Sequence, residues 1–421
     1  MKRLTAIFLF AGLALAQFPK PGGSGSPSGW TRTGTTLSPT NPGDTLEVGT
    51  TAPGSAGIVI SPTQGIIGPN TNQAVLLPHW RAALGKVAAG TANAKILFIG
   101  DSTQFYGSNA TTLQMRYNGL SSYIASQFSG IGITSEANGW LGNGGNRGAG
   151  SETSQYDGRL TVGSGWSKTG ATFPGGDTFS ATSSTSSLAF LPTVNVDTFV
   201  IYFFQFGGGG SYKWNINGGS DTTKSTNGTN SIQTLTVTGS LTSNTLNLNW
   251  VSGTVYILGI DAYDSSKKQV LTLNGGWVGS QSSDWSGALN IFSVPNTLSL
   301  GQDLSVICLG INDANNSVSP STFQANLSAI VTAAQAVGDV LLYTYTPTDP
   351  SGHASYATQQ SFQAVIQGLA ASAGTASFDI FGRWVSYAVT NPLGLYNDSV
   401  HPNGPGYADQ ARGLFSVIGR P

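Results

Sequence analysis

The stretch Ala94-Lys95-Ile96-Leu97-Phe98-Ile99-Gly100-Asp101-Ser102 decides the fold class. The apolar run from Ala94 to Ile99 has the pattern of a strand buried on both faces, as in a parallel sheet, and it ends at Gly100-Asp101-Ser102. Upstream, Leu77 to Lys86 has the length of a short helix. Downstream, Leu113 to Phe128 places Met115, Leu120, Ile124 and Phe128 at helical spacing. Further on, Asp303 to Leu309, Val340 to Tyr345 and Ala376 to Ile380 read as strands, and Ser321 to Val337, Tyr356 to Ala371 and Tyr407 to Ile418 as helices. Alternating strands and helices imply an α/β domain whose mostly parallel sheet is covered by helices on both faces.

Residues 155–268 break that alternation. Short segments such as Phe199 to Phe204, Ser211 to Ile216, Ile232 to Val237, Leu246 to Val251 and Val255 to Ile260 are separated by turn residues, the pattern of a β-sandwich. The expected organisation is therefore an α/β domain in two parts, 76–154 and 269–421, with an all-β sandwich inserted at 155–268. Ahead of it, residues 18–75 are rich in Gly, Pro, Ser and Thr and read as a linker or stalk with short β-like pieces. Within them, Trp30 to Val48 resembles stalk segments of phage tail fibres.

Residues 1–17 carry Lys2 and Arg3, the apolar stretch Leu4 to Leu15, and Ala14-Leu15-Ala16 before Gln17, the three regions of a signal peptide. The expectation is an exported protein, extracellular or periplasmic, with no membrane attachment once that segment is removed; an uncleaved N-terminal anchor is the rival. With 9% charged residues and net charge −1, the chain lacks the basic patch that nucleic-acid binding needs. Its 39% hydrophobic content and nine Trp suffice for a sizeable core. The single cysteine, Cys308, excludes an internal disulfide framework and sits in an apolar run, where a buried small hydrophobe is expected.

Three separated segments carry groups suited to acyl transfer. Ser102 follows a buried strand, and ligands of open α/β sheets bind at the carboxyl ends of strands. Taken singly, an Asp-Ser pair there is also an ordinary helix cap. A serine nucleophile needs a base, and the chain has three histidines. Of these, His401 stands in Asp398-Ser399-Val400-His401-Pro402, where Asp-x-x-His spacing lets the carboxylate reach the imidazole across a turn. Gly404 and Pro405 read as the cap and first turn of the last helix. Gly310-Ile311-Asn312-Asp313 follows another strand; its Asn can donate to an oxyanion, or simply make an Asx turn.

Together, Gly100-Asp101-Ser102, Gly310-Ile311-Asn312-Asp313 and Asp398-Ser399-Val400-His401 resemble blocks I, III and V of the SGNH (GDSL-like) hydrolases. Asn274-Gly275-Gly276-Trp277-Val278-Gly279-Ser280 resembles block II, N-x-G-x-x-G, with Gly276 taken as the donor glycine. The resemblance spans residues 76–150 and 269–421. It implies a three-layer α/β/α fold and serine-ester hydrolysis without a metal or other cofactor. Ser102 would be nucleophile, His401 base and then acid, and Asp398 its orienting partner. The oxyanion hole would be the Ser102 and Gly276 N–H groups with the Asn312 side chain. Thr103-Gln104 stands where the name-giving motif has Leu, and the insertion between blocks I and II is unusually long. The insertion is similar to the sandwich of some carbohydrate-acting members. The G-x-S-x-G elbow of α/β-hydrolases does not surround Ser102.

Asp101, Asp313 and His353 are candidate substrate contacts beside these groups. His79 reads as structural. Phe105 and Tyr106 could line an acyl pocket or pack in the core. Trp214 and Trp250 are either a sugar platform or sandwich core. Three functions remain in view. One is an exported esterase removing acetyl or similar groups from a polysaccharide. Another is an esterase of lipids or simple esters. The third is a glycan-binding, tail-fibre-like adhesion protein with a secondary or inactive hydrolase fold. Oligomeric state is left open.

Overall fold

The computed structural model describes residues 72–105, 119–142, 158–173, 175–286 and 300–419, together with the short strands Trp30–Thr33, Thr36–Pro39, Leu46–Val48, Ile58–Ser61 and Gly65–Ile67. The expected signal segment, residues 1–17, and Tyr106 lie outside the described residues. The chain divides into two units, 1–68 and 69–421. In the first, two strands form one antiparallel pair and three form a second antiparallel sheet.

The second unit is built on a six-stranded parallel sheet. Its spatial order is Ala376–Phe378, Asp339–Tyr343, Leu304–Cys308, Ala94–Gly100, Val270–Gly276 and Ser135–Glu136. The inner strands Leu304–Cys308 and Val270–Gly276 are buried at every residue, which is why they read as apolar runs without alternation. On one side, helices Pro78–Ala88, Leu120–Gly130 and Gly404–Ile418 pack together. There the Trp80 ring lies 6.0 Å from Phe128, Phe128 lies 5.0 Å from Phe415, and Trp80 Nε1 donates to the Ile418 carbonyl at 2.8 Å. On the other, Pro320–Gln335 meets Tyr356–Ala373 through Phe323 and Phe362, 4.9 Å apart. Ser319 and Ser355 cap these two helices by accepting from Thr322 and Thr358 N–H. The helix expected from Leu113 is described only from Leu120, because residues 113–118 lie outside the described ones.

Register decides where the chemistry is placed. Gly276 and Cys308 both pair with Gly100, so three adjacent strands end level. Later strands also lie on both sides of Ala94–Gly100, the reversal of strand order that opens a crevice at the carboxyl ends. The segments beginning at Asp101, Trp277 and Leu309 emerge side by side into it.

The insertion is two antiparallel sheets. One holds, in order, Trp166–Phe173, Gly176–Ala181, Val255–Tyr263, Val196–Gln205 and Ser231–Thr242. The other holds Thr222–Ser225, Ser211–Ile216, Leu246–Ser252, Leu188–Phe190 and Leu160–Val162. Phe179, Phe190, Phe199, Phe203, Tyr212 and Leu248 fill the space between them. The first sheet's opposite face, with Tyr202, Phe204, Ile232 and Leu258, joins the core of the parallel-sheet layer. The sandwich is therefore fused to the α/β part along a buried seam. It also begins earlier than residue 155, since Trp140–Leu141 pairs with Val255–Tyr263.

Candidate active site

Ser102 opens the short helix Ser102–Phe105 directly after the central strand and is only 7% exposed. Asp101 shapes this turn: its Oδ1 accepts from the Thr103 N–H and hydroxyl, each at 2.8 Å. His401 arrives from the far end of the chain. Its loop is closed by Asn397 N–H to the His401 carbonyl at 2.8 Å and by Asn403 N–H to Leu395 at 3.0 Å. Asn403, rather than the expected Gly404, caps the last helix by accepting from Gly406 N–H, because an Asn side chain can reach that amide and Gly has none. The buried Tyr407 hydroxyl donates to the Thr103 carbonyl at 2.9 Å and ties this helix to the Ser102 turn.

The result is a continuous relay. His401 Nε2 lies 2.9 Å from Ser102 Oγ, and His401 Nδ1 lies 2.8 Å from Asp398 Oδ2. The second carboxylate oxygen, Oδ1, accepts from the Val400 and His401 N–H groups at 2.7 Å each. An ionised carboxylate only accepts, so Nδ1 carries the proton and Nε2 is left to accept from the Ser102 hydroxyl. Burial pushes the Asp398 pKa up, but the His401 ring and the two amides outweigh it and bring it down to about 2. Asp398 is thus anionic at neutral pH.

The oxyanion side departs from expectation at Gly276. Its N–H is inside the buried strand end and already donates to Asn274 Oδ1 at 3.0 Å, so it has no hydrogen left for a substrate. Gly279 is the better-placed glycine. It sits half-buried in the turn beyond that strand at φ +76°, and no described residue accepts from its N–H. The turn hangs from Gly100, whose carbonyl accepts from Trp277 N–H at 2.9 Å and from the Ser280 hydroxyl at 3.2 Å. Asn312 Nδ2 donates one hydrogen to the Ser280 carbonyl at 2.9 Å and keeps the other. Gly310 at φ +122° turns Asn312 toward this point, and a Cβ there would meet Phe323 at 3.0 Å and Tyr345 at 3.1 Å.

Two carboxylates expected as substrate contacts are corrected. Asp101 and Asp313 are each 0% exposed, so no ligand reaches them. Asp313 accepts from the Ser282 N–H and, at 2.6 Å, from the Ser282 hydroxyl, clamping the Asn312 helix to the segment after Gly279. His353 is corrected as well, since both its ring nitrogens serve the protein. Asn315 Oδ1 accepts from Ala354 N–H, so Asn315 Nδ2 donates to His353 Nδ1 (3.3 Å), and His353 Nε2–H donates to Ser399 Oγ (2.9 Å). The ring bridges the Asn312 helix to the Asp398–His401 loop.

Burial, only partly offset by Thr103, pushes the Asp101 carboxyl up to about 6 from 3.8. Its Oδ2 has no hydrogen-bond partner. A raised carboxyl pKa gives stability that is fully present below pH 4 and lost as pH rises through 6. Asp101→Asn keeps the Oδ1 acceptor and removes the charge. The variant is therefore expected to gain on wild type by roughly 3 kcal/mol between pH 4 and 7. Denaturant unfolding at both pH values measures this; parallel pH dependences would contradict it.

The remaining candidates stand elsewhere. His79 bonds Asp303 at 3.1 Å at the opposite, amino end of the strands. Cys308 is fully buried, and burial raises its thiol pKa well above the usual value. Trp214 and Trp250 both pack against the sandwich core. Phe105 is described by its backbone alone.

Residues 261–408 match the GDSL-like lipase/acylhydrolase family, a span that contains Asn274, Gly279, Asn312, Asp398 and His401 but not Ser102. No curated protein sequence matches the chain. Among solved structures it is similar to a peptidoglycan O-acetylesterase (17% identity, 81% of this chain and 96% of that one, TM-score 0.57). That likeness shows the fold. Shorter likenesses include a lipase/acylhydrolase from Enterococcus faecalis (22% identity, 36% and 77% covered, TM-score 0.32). Another is an acetylxylan esterase from Geobacillus stearothermophilus (19% identity, 36% and 74% covered, TM-score 0.30).

Proposed function

We propose that this chain, which belongs to the GDSL-like lipase/acylhydrolase (SGNH) family and is a carboxylic ester hydrolase, removes O-acetyl groups from a polysaccharide outside the cell that makes it. The observation that carries the chemistry is the relay of 2.9 and 2.8 Å from Ser102 through His401 to Asp398. As Ser102 Oγ adds to the acyl carbonyl, His401 Nε2 takes its proton and Asp398 stabilises the imidazolium. The new oxyanion faces the Ser102 and Gly279 N–H groups and the unused Asn312 amide hydrogen. Collapse breaks the bond to the sugar oxygen, which leaves with the proton from His401. Water deprotonated by the same nitrogen then attacks acetyl-Ser102; the second collapse breaks the acyl bond to Ser102 Oγ, which takes the proton back from His401, and acetic acid departs and ionises.

The polymer half of the proposal rests on a sequence rich in Ser, Thr, Asn and Gly with 9% charged residues, on the signal-like residues 1–17, and on a fold that a peptidoglycan O-acetylesterase also uses. Acetate release from acetylated xylan and O-acetylated peptidoglycan, set against hydrolysis of a long-chain p-nitrophenyl ester, tests it. Acetate from a polymer is the expected result. Long-chain ester cleavage with no acetate from either polymer would leave an esterase of lipids instead. For export, N-terminal sequencing of protein collected outside the cells should begin near Gln17; a retained Met1 would contradict it.

Asn312→Ala removes one oxyanion donor and the tie to Ser280. It is expected to lower kcat about 10²- to 10³-fold with little change in KM. An unchanged kcat in steady-state assays would remove Asn312 from the site.

A further inference from the structure

A hollow of about 510 Å³ opens on the second sheet of the sandwich, and we infer that it binds a neutral oligosaccharide chain at a distance from Ser102. The strand pattern places it. Tyr212, Leu246 and Leu248 point into the sandwich core, so Lys213, Asn215, Asn247 and Asn249 point the other way, into the hollow. The first sheet rests on the parallel-sheet layer, and the hollow is therefore on the side facing away from it.

Asn is disfavoured in strands, yet three stand side by side here, and they are held in fixed orientations. Asn215 Oδ1 accepts from Gly218 N–H and Asn247 Nδ2, each at 3.0 Å, while its Nδ2 donates to Asp221 Oδ1 at 2.8 Å. Asn249 Oδ1 accepts from the Ser187 hydroxyl at 2.6 Å. These bonds leave the Asn247 carbonyl as an acceptor and the Asn249 amide with two hydrogens to donate. Both lie on one strand, two residues apart, about 7 Å. Fixed donors and acceptors at that separation suit sugar hydroxyls, each of which donates and accepts.

Charge narrows the ligand. Lys213 pairs with Asp221 at 2.6 Å, so the hollow carries no net charge to select a uronate or phosphate. Trp250 follows Leu246 and Leu248 onto the core face, so the floor of the hollow is polar. A neutral chain held there would keep an acylated polymer attached between cleavage events.

Calorimetric titration of full-length Ser102→Ala protein with cellohexaose, xylohexaose and chitohexaose tests this, with hexagalacturonate as the charged control. At least one neutral hexasaccharide should bind. Asn249→Ala and separately Asn247→Ala, changes that spare the sandwich core, should each weaken that binding 10-fold or more. Placed in the Ser102-bearing protein, both should leave p-nitrophenyl acetate hydrolysis unchanged, which also reports that they fold. No neutral ligand binding at millimolar concentration, binding undiminished in Asn249→Ala, or tightest binding of hexagalacturonate would each overturn the inference. Because the titration uses an inactive protein, it stands or falls independently of the esterase reading.

Discussion

Ser102→Ala, His401→Ala and the double variant are each expected to lose about 10⁵- to 10⁶-fold in kcat on an acetyl ester, the double scarcely more than either single. The reason is that the two side chains act as one device. The Ser102 hydroxyl is a poor nucleophile until His401 Nε2, 2.9 Å away, takes its proton, and His401 has nothing to deprotonate once the hydroxyl is gone. Asp398→Asn should cost about 10⁴-fold, since an amide can hold the ring in the wrong tautomer and cannot offset the imidazolium charge. KM should move little in all of these. Steady-state kinetics on purified variants, with circular dichroism as the folding control, measures the set. Losses that multiply in the double variant would mean that Ser102 and His401 act separately.

The second large effect concerns stability. Lys95 sits on the strand that leads to Ser102 and reaches into the seam with the sandwich. Its ammonium donates to the Tyr202 hydroxyl at 2.7 Å and to the Leu300 carbonyl at 2.9 Å, with Asp261 Oδ2 3.7 Å away. Burial disfavours the charge, but Tyr202 and Asp261 outweigh it and raise the Lys95 pKa, so the cation persists. Lys95→Met leaves Asp261, 1% exposed, as an uncompensated buried charge, and is expected to cost about 3–5 kcal/mol. Lys95→Met with Asp261→Asn should recover part of that loss. Denaturant unfolding of both variants decides it, and a double variant less stable than Lys95→Met would contradict the pairing.

Much of this architecture was legible in local pattern. Ala94–Ile99 read as a doubly buried strand because it is one, and the helices Pro320–Gln335 and Tyr356–Ala373 begin where Ser319 and Ser355 cap them. The triad was legible because its pieces are short and each adjoins an element end. What failed depended on contacts between distant segments. The block II segment contains three glycines, and only the Asn274 side-chain bond shows that the N–H of Gly276 is spent while that of Gly279 is not. Asp101 and Asp313 have the composition of substrate contacts but are enclosed by folding. Nothing in the sequence ties Lys95 to Tyr202 and Asp261, more than 100 positions away, so the seam that fuses the two parts could not be read from it. Trp140–Leu141 was likewise invisible as a sandwich strand, since two residues carry no period.

The central claim is that Ser102 carries the acyl group between the two halves of the reaction. Mass spectrometry of protein acid-quenched during turnover of p-nitrophenyl acetate tests this most directly. An acetyl group on the peptide containing Ser102, absent when His401→Ala is treated in the same way, is the predicted result. Sustained hydrolysis with no adduct on that peptide, or an adduct on another residue that chases into acetate, would contradict it.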